Sequence, residues 1–382
     1  MSRTTLLIGP PGTGKTERCL SIVDAALKQG VEPERIAYLS FTRRAAHEAV
    51  TRAVEKFGFD RDRFPYFRTL HSLAFKELDL HSDQVMQPAH FRELGEKLGG
   101  YNFASDYDET VERANPEGEL GDVCLFICQL ARSMEIPLEQ AWRLVQDTST
   151  CYGPPSTHIL PFHVVEFFHR GLEEFKKGRL LLDFTDLLDQ CSAELDVDLF
   201  ILDEAQDNTQ QQWRFARQCG RQAKKVYLAG DDDQAIYEWG GADSSVLLGM
   251  SGQRETLPRS HRLPRRIFEA STAIANRIKF RLPKTWSPRE EEGEVNWINS
   301  PEECDLKQGN WLLLGRTNYL CRSLVRAARH QGVVYYWNGA WSNQDPTVKA
   351  VLAYEALRHG EKIPRSTAAL AVKFAGAALT KQ

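Results

Sequence analysis

The run Gly9-Pro10-Pro11-Gly12-Thr13-Gly14-Lys15-Thr16 constrains this chain more than any other feature. It matches the pattern GxxxxGK[ST], and it follows an apolar run at 5–8 and leads into helical patterning. Such a loop works at the end of a strand and the start of a helix. Its glycines let backbone N–H groups turn inward around phosphate oxygens, and the helix N-terminus adds partial positive charge. Lys15 is then expected to reach the β- and γ-phosphates of a nucleotide, and Thr16 to hold Mg²⁺ through its hydroxyl.

The remaining pattern agrees with an α/β core. Short apolar runs at 5–8, 36–39, 199–202 and 226–229 each end in a polar or glycine-rich turn, as buried parallel strands with functional C-terminal ends do. The third run delivers Asp203-Glu204-Ala205-Gln206-Asp207. A strand ending in solvated acids is ordinary by itself, but a phosphate cradle upstream gives the pair a job. Asp203 would take the metal through its water shell, and Glu204 would polarise an attacking water, the mark of a hydrolase.

Between 78 and 181 the pattern turns helical, with Leu120, Val123, Cys124, Ile127, Leu130, Ala131 and Met134 on one face. This suggests a helical subdomain at 78–181 inserted into a first domain made of 1–77 and 182–255. A second domain is expected over 256–382, with strands at 311–314 and 333–336 around an amphipathic helix at 319–330.

At 42% hydrophobic and 26% charged residues, the composition excludes a disordered or fibrous chain. The first residues are too weakly apolar for a signal peptide and no run approaches a membrane span, so a cytoplasmic or nucleoid-associated protein is expected. The eight cysteines show no CxxC pair or zinc spacing, and buried reduced thiols are the reading. A net charge of −4 hides one local bias: residues 254–289 carry ten Lys/Arg and two acids, Glu255 and Glu269. That stretch is either a solvated helical face or a nucleic-acid footprint.

The Asp203-Glu204-Ala205-Gln206-Asp207 string resembles the second motif of UvrD/Rep-type superfamily 1 DNA helicases, and further segments follow in that family's order. Tyr38-Leu39-Ser40-Phe41-Thr42-Arg43-Arg44-Ala45-Ala46 resembles motif Ia, and Arg68-Thr69-Leu70-His71-Ser72-Leu73-Ala74 resembles motif Ib. The segment from Leu228 to Ala242, containing Gly230-Asp231-Asp232-Asp233-Gln234 and Tyr237-Glu238-Trp239, matches motif III almost throughout. Leu257-Pro258-Arg259-Ser260-His261-Arg262 resembles motif IV more loosely.

The resemblance implies a RecA-like P-loop core with a partial second RecA-like domain, and an enzyme that uses ATP and Mg²⁺ on single-stranded or partly duplex DNA. It assigns γ-phosphate sensing to Gln234 and a γ-phosphate clamp to Arg262, with Arg18 and His261 also near the nucleotide. Tyr237 and Trp239 would form a base-stacking platform, which suits a motor that must tolerate any sequence. Phe41 and His71 would touch the strand, with Arg43 and Arg44 near its phosphates. The implied activity is ATP-dependent helicase or translocase action, 3′-to-5′. A DNA-binding ATP switch, or an inactive fragment of a helicase, without processive unwinding is the second reading, and a small-molecule kinase leaves Tyr237, Trp239 and the basic stretch without a role.

Four departures stand out. Only eight residues precede Gly9, where the family carries a glutamine motif that reads adenine. His261 stands where a stacking tyrosine is usual, and Arg18 comes one residue later than the family's arginine. No run like motif V or VI follows. A further C-terminal portion or a protein partner is therefore expected to complete the motor, and without it hydrolysis should suffer more than nucleotide binding.

Overall fold

The computed structural model describes residues 3–103, 119–147, 160–337 and 339–379. Parts of the expected helical insertion, at 104–118 and 148–159 and including Cys151, lie outside the described residues. The chain divides into two compact units, Met1–Glu294 and Val295–Gln382.

The first unit is organised by a six-stranded sheet. Its strands are β1 (Arg3–Ile8), β2 (Ile36–Ser40), β3 (Tyr66–Thr69), β4 (Leu199–Asp203), β5 (Lys225–Gly230) and β6 (Gln253–Thr256), in the spatial order β3-β2-β4-β5-β1-β6. Every pairing is parallel. β2 and β4 are buried along their whole length, which explains why they read as continuous apolar runs rather than alternating ones.

Helices cover both faces. α1 (Lys15–Lys28) and α2 (Arg43–Phe57) help enclose a core around Leu7, Tyr38, Phe67 and Ile201. On the other face α3 (Leu70–Glu77) and two later helices pack around Leu6, Leu39, Phe200 and Trp213. All functional turns thus leave the sheet at its C-terminal edge, the usual place for ligands in open α/β sheets.

Between α3 and β4 the chain makes a helical excursion, as its periodicity predicts. α4 (Pro88–Leu98), α5 (Leu120–Ser133), α6 (Leu138–Gln146) and α7 (Phe162–Arg179) enclose a core of their own around Phe91, Phe126, Phe168 and Leu172. α5 is buried nearly all round, so the single apolar face read from the sequence understates its contacts. The excursion is closed at its base, where Met86 N–H donates to Leu182 O at 2.8 Å and Leu182 N–H to Gln84 O at 2.9 Å. α8 (Phe184–Gln190) and α9 (Gln210–Cys219) then flank β4 in sequence.

After β5 come α10 (Ser244–Leu248), β6 and α11 (Arg265–Ala275). Residues 256–294, expected at the head of the second domain, fall within the first unit. β6 hydrogen-bonds along β1, and Leu257 N–H donates to Ile8 O at 2.9 Å, which holds this stretch to the sheet.

The second unit contains α12 (Asn318–His330), α13 (Pro346–Arg358) and α14 (Arg365–Leu379). α12 matches the expected amphipathic helix. The two expected strands do not form as read. Residues 311–315 form no strand, and in the described residues of this unit a two-residue β7 (Tyr336–Trp337) pairs antiparallel with β8 (Ala340–Trp341). The reason is visible at Leu313, which packs toward Leu306 and Ala327 while Leu312 and Leu314 are about four-fifths exposed. The alternating exposure of a strand is present, but 311–315 join no sheet among the described residues.

Seven cysteines are described and all are free thiols, six of them buried. Burial pushes Cys124 up to about 12, so it behaves as a small apolar residue. No helix among the described residues is long and apolar enough to cross a membrane.

Candidate functional site

The loop after β1 is shaped by backbone rather than side chains. Gly12 and Gly14 take φ of +72° and +81°, a region costly for residues with a Cβ. Thr13 Oγ1 donates to Pro10 O at 2.7 Å, and Gly9 N–H donates to Gly230 O at 3.0 Å, tying the loop to β5. Gly14 caps α1 with no side-chain acceptor, which leaves the first N–H groups of the helix to the loop. Pro10 and Pro11 lie within the turn, and Lys15 and Thr16 open α1.

Lys15 points into the two acids that end β4. Its Nζ lies 2.6 Å from Glu204 Oε2. Asp203 is almost fully buried; its Oδ2 accepts from Tyr38 Oη at 2.6 Å, and its Oδ1 from Glu204 N–H at 2.9 Å. Glu204 itself sits at φ +52°, a left-handed conformation that is unfavourable for a glutamate and held by these contacts.

The electrostatics of the pair are asymmetric. Burial raises the Asp203 carboxyl above its ordinary range, and the Glu204 charge adds to this against the pull of Lys15. Burial works the same way on Glu204, but the adjacent Lys15 ammonium wins and holds it below its ordinary range. Lys15 is penalised by burial too, yet Glu204, Asp203 and Asp231 together keep it charged, above its usual value. The cradle therefore holds one firm ion pair and one carboxyl short of positive charge.

Gln206, quoted in the motif but given no role from sequence, turns out to be the fork of the site. Its Nε2 donates to Glu204 Oε2 and to Asp207 Oδ2, both at 2.9 Å, and its Oε1 accepts from Asp231 N–H at 3.0 Å. Tyr38 was likewise missed. A tyrosine hydroxyl in the middle of a fully buried strand is the available signal, since a buried tyrosine oxygen needs a partner.

Asp207 is pushed up to about 7, first by burial and then by the Glu204 charge. Its native pKa lies above its unfolded value, so the folded state binds the extra proton and stability falls as pH rises from about 4 to 7. Asp207→Asn is expected to flatten this slope, gaining roughly 2 kcal/mol over the parent between pH 5 and pH 8. Denaturant melts at the two pH values check this; parallel curves would contradict it.

Past β5, Gln234 Nε2 donates to Asp231 Oδ2 at 2.6 Å. Three residues further on, the Tyr237 ring lies 5.0 Å from Phe41, which follows β2. Trp239 is 6.5 Å from Tyr237 and stacks on Phe126 of the helical excursion at 6.4 Å and 20°. Phe41, Tyr237 and Trp239 are thus brought together as a half-buried aromatic row. His71 stands apart from this row, edge-on to Phe184 at 5.9 Å. It and Arg43 line an open cavity of about 700 Å³ beside β3, together with Arg61, Arg68 and Lys76. Arg44 is exposed beside Arg43 at the start of α2, whose first turn is capped by Thr42.

The segment around His261 and Arg262 lies directly on the cradle. His261 N–H donates to Gly12 O at 2.8 Å, and Ser260 Oγ donates to Pro11 O at 2.8 Å. A Cβ added to Gly12 would come within 2.3 Å of the Arg262 Cβ. Both the His261 and Arg262 side chains are exposed. Arg18 is committed to Glu255, with Nε and Nη2 at 2.7 and 3.1 Å from its two carboxylate oxygens.

At least half of the ten basic residues at 254–289 pair with acids outside the stretch. Arg281 and Lys284 meet Asp231, Asp232 and Asp233, while Arg259, Arg266 and Arg289 meet Glu290, Glu292 and Glu291. A count along the chain could not see the first set, which lies about 50 residues away.

Known proteins are similar to this chain in sequence. The first 254 residues match the model of the UvrD/REP helicase N-terminal domain. The ATP-dependent DNA helicase PcrA of Leuconostoc citreum is 24% identical over 375 residues, covering 91% of this chain and 47% of that protein. PcrA of Bacillus subtilis is 22% identical, covering 78% and 41%, and the ATP-dependent DNA helicase Rep of Buchnera aphidicola is 21% identical, covering 91% and 58%. The chain spans about half the length of these curated relatives. With its parallel P-loop sheet and a family match over two-thirds of its length, the chain belongs to the UvrD/Rep family of helicases.

Proposed function

We propose that this chain binds ATP and single-stranded DNA and serves a motor that moves 3′-to-5′ along the strand, separating duplex as it goes. The observation that carries the reading is a hydrogen-bonded path from the cradle to Gln234, close in sequence to the aromatic row. It runs from Lys15 through Glu204 and Gln206 to Asp231, whose carboxylate holds Gln234, three residues before Tyr237. Phosphate occupancy and strand contact are thereby linked within one small region.

In this reading the loop from Gly9 to Thr16 cradles the phosphates, and Lys15 leaves Glu204 to meet them. Glu204, released, orients the attacking water and accepts its proton. Arg262 and Gln234 approach the γ-phosphate, with His261 and Arg18 at the margin of the nucleotide. Mg²⁺ suits the donor set: it takes one or two protein oxygens plus substrate phosphates, and Thr16 and Asp203 are oxygen donors. The raised Asp203 carboxyl is also short of positive charge. When bound, the ion would neutralise charge on the β- and γ-oxygens. Phe41, Tyr237 and Trp239 would stack bases, with Arg43, Arg44 and His71 toward the phosphates. The helical excursion at 78–181 is read as an inserted subdomain, and the chain beyond 256 as leading into a second RecA-like lobe.

Strand displacement tests the direction. Streptavidin on the 5′ end of a biotinylated oligonucleotide should be displaced in the presence of ATP, and streptavidin on the 3′ end should not. Displacement from the 3′ end would overturn the stated polarity. Tyr237→Ala should weaken single-strand affinity about five- to 150-fold, the loss of roughly 1–3 kcal/mol per stacked base; unchanged affinity would remove Tyr237 from the platform.

A further inference from the structure

Lys284 is the most enclosed cation of the site region and has no part in the mechanism above. Its side chain is fully buried, as is Asp231, whose Oδ1 it pairs with. The same ammonium lies 2.7 Å from both Asp232 Oδ1 and Asp233 Oδ2. Arg281 takes the other side of Asp233 at 2.5–2.9 Å, and Leu282 N–H donates to Asp232 Oδ2 at 2.8 Å. Thus residues 281–284 grip the turn that carries Gln234. The grip acts through one carboxylate: Asp231 gives one oxygen to Lys284 and the other to Gln234, while its N–H bonds Gln206.

We propose that Lys284 is a positioning residue that fixes the Asp231 carboxylate, and thereby sets how readily Gln234 exchanges Asp231 for a bound nucleotide. This rests on the nucleotide and DNA reading given above. A carboxylate free to rotate could follow Gln234 and blur its two positions. Held by a fully buried ammonium, it offers a single docking place that Gln234 either occupies or leaves. Two discrete arrangements of this kind are what energetic coupling between sites requires.

The test measures coupling without needing turnover. Single-strand affinity is determined by fluorescence anisotropy with and without a non-hydrolysable ATP analogue, and nucleotide affinity is measured separately. For the parent, the analogue should change DNA affinity by roughly five- to 150-fold, the usual span of coupled sites. Lys284→Arg keeps the charge but replaces a compact ammonium by a planar fork that cannot reproduce the three-way contact. It should bring the coupling ratio to within about twofold of one, with each separate affinity changed less than about threefold. Asp231→Asn should do the same with the lysine intact, which guards against misfolding of one variant. Unaltered coupling in both variants overturns the proposal. So does a parallel loss of melting temperature and both affinities in both, which marks a merely structural contact. A parent that binds both ligands without coupling overturns it while leaving the binding reading in place. A parent that binds neither ligand overturns the functional reading itself.

Discussion

Glu204→Gln is expected to lower ATP turnover by about a hundredfold or more, the usual contribution of a positioned general base. The substitution keeps the shape and the contact with Gln206 but removes the charge that faces Lys15 at 2.6 Å. Freed from its partner, Lys15 should meet phosphate at least as well, so nucleotide affinity should hold or rise. Steady-state hydrolysis and equilibrium binding of a fluorescent ATP analogue, measured on the same preparation, separate the two effects. Turnover within threefold of the parent would remove Glu204 from the chemistry. A parallel collapse of binding would mean that the ion pair holds the loop together instead.

Lys176→Met should give the largest loss of stability, about 3–5 kcal/mol, because breaking a buried pair leaves uncompensated charge behind. Lys176 is buried near the end of α7, with its Nζ 2.8 Å from both Asp183 Oδ2 and Asp186 Oδ2. Asp183 also caps α8 through the Asp186 N–H, so the lysine joins the helical excursion to the sheet domain at its base. Burial would raise the Asp183 carboxyl, but Lys176 and Arg132 outweigh it and hold the group at about 2. Its folded pKa lies below its unfolded value, so its contribution is complete above about pH 4 and is lost as pH falls toward 2. Denaturant unfolding at neutral pH should show the deficit, and Lys176→Met with Asp183→Asn should recover part of it. A single variant within 1 kcal/mol of the parent would contradict the account.

Much of this architecture is legible along the chain because its signals are local. The strand ending at Ile8 and the loop at 9–16 are adjacent in sequence, and so are the strand at 199–203 and its two acids. The helical excursion announces itself by period. What the sequence hides is long-range pairing. Lys284 reads as one more cation in a basic run until the fold sets it among three aspartates about 50 residues upstream. Gln206 sits in a legible motif, yet its bond to the Asp231 N–H depends on where β5 lies beside β4. The run at 311–314 shows the converse: its composition suits a strand, but a strand also needs a neighbour, which composition does not report. Trp239 shows how one residue answers to two elements, since its ring contacts Tyr237 on one side and Phe126 on another.

The most direct test of the central claim is steady-state ATP hydrolysis by this chain with and without single-stranded DNA. The account predicts that turnover, weak in this chain alone, rises when the strand is added, and that the rise vanishes in Glu204→Gln. Nucleotide and DNA binding with hydrolysis indifferent to the strand would contradict a motor in this chain and leave an ATP-dependent grip or an inactive helicase fragment in its place.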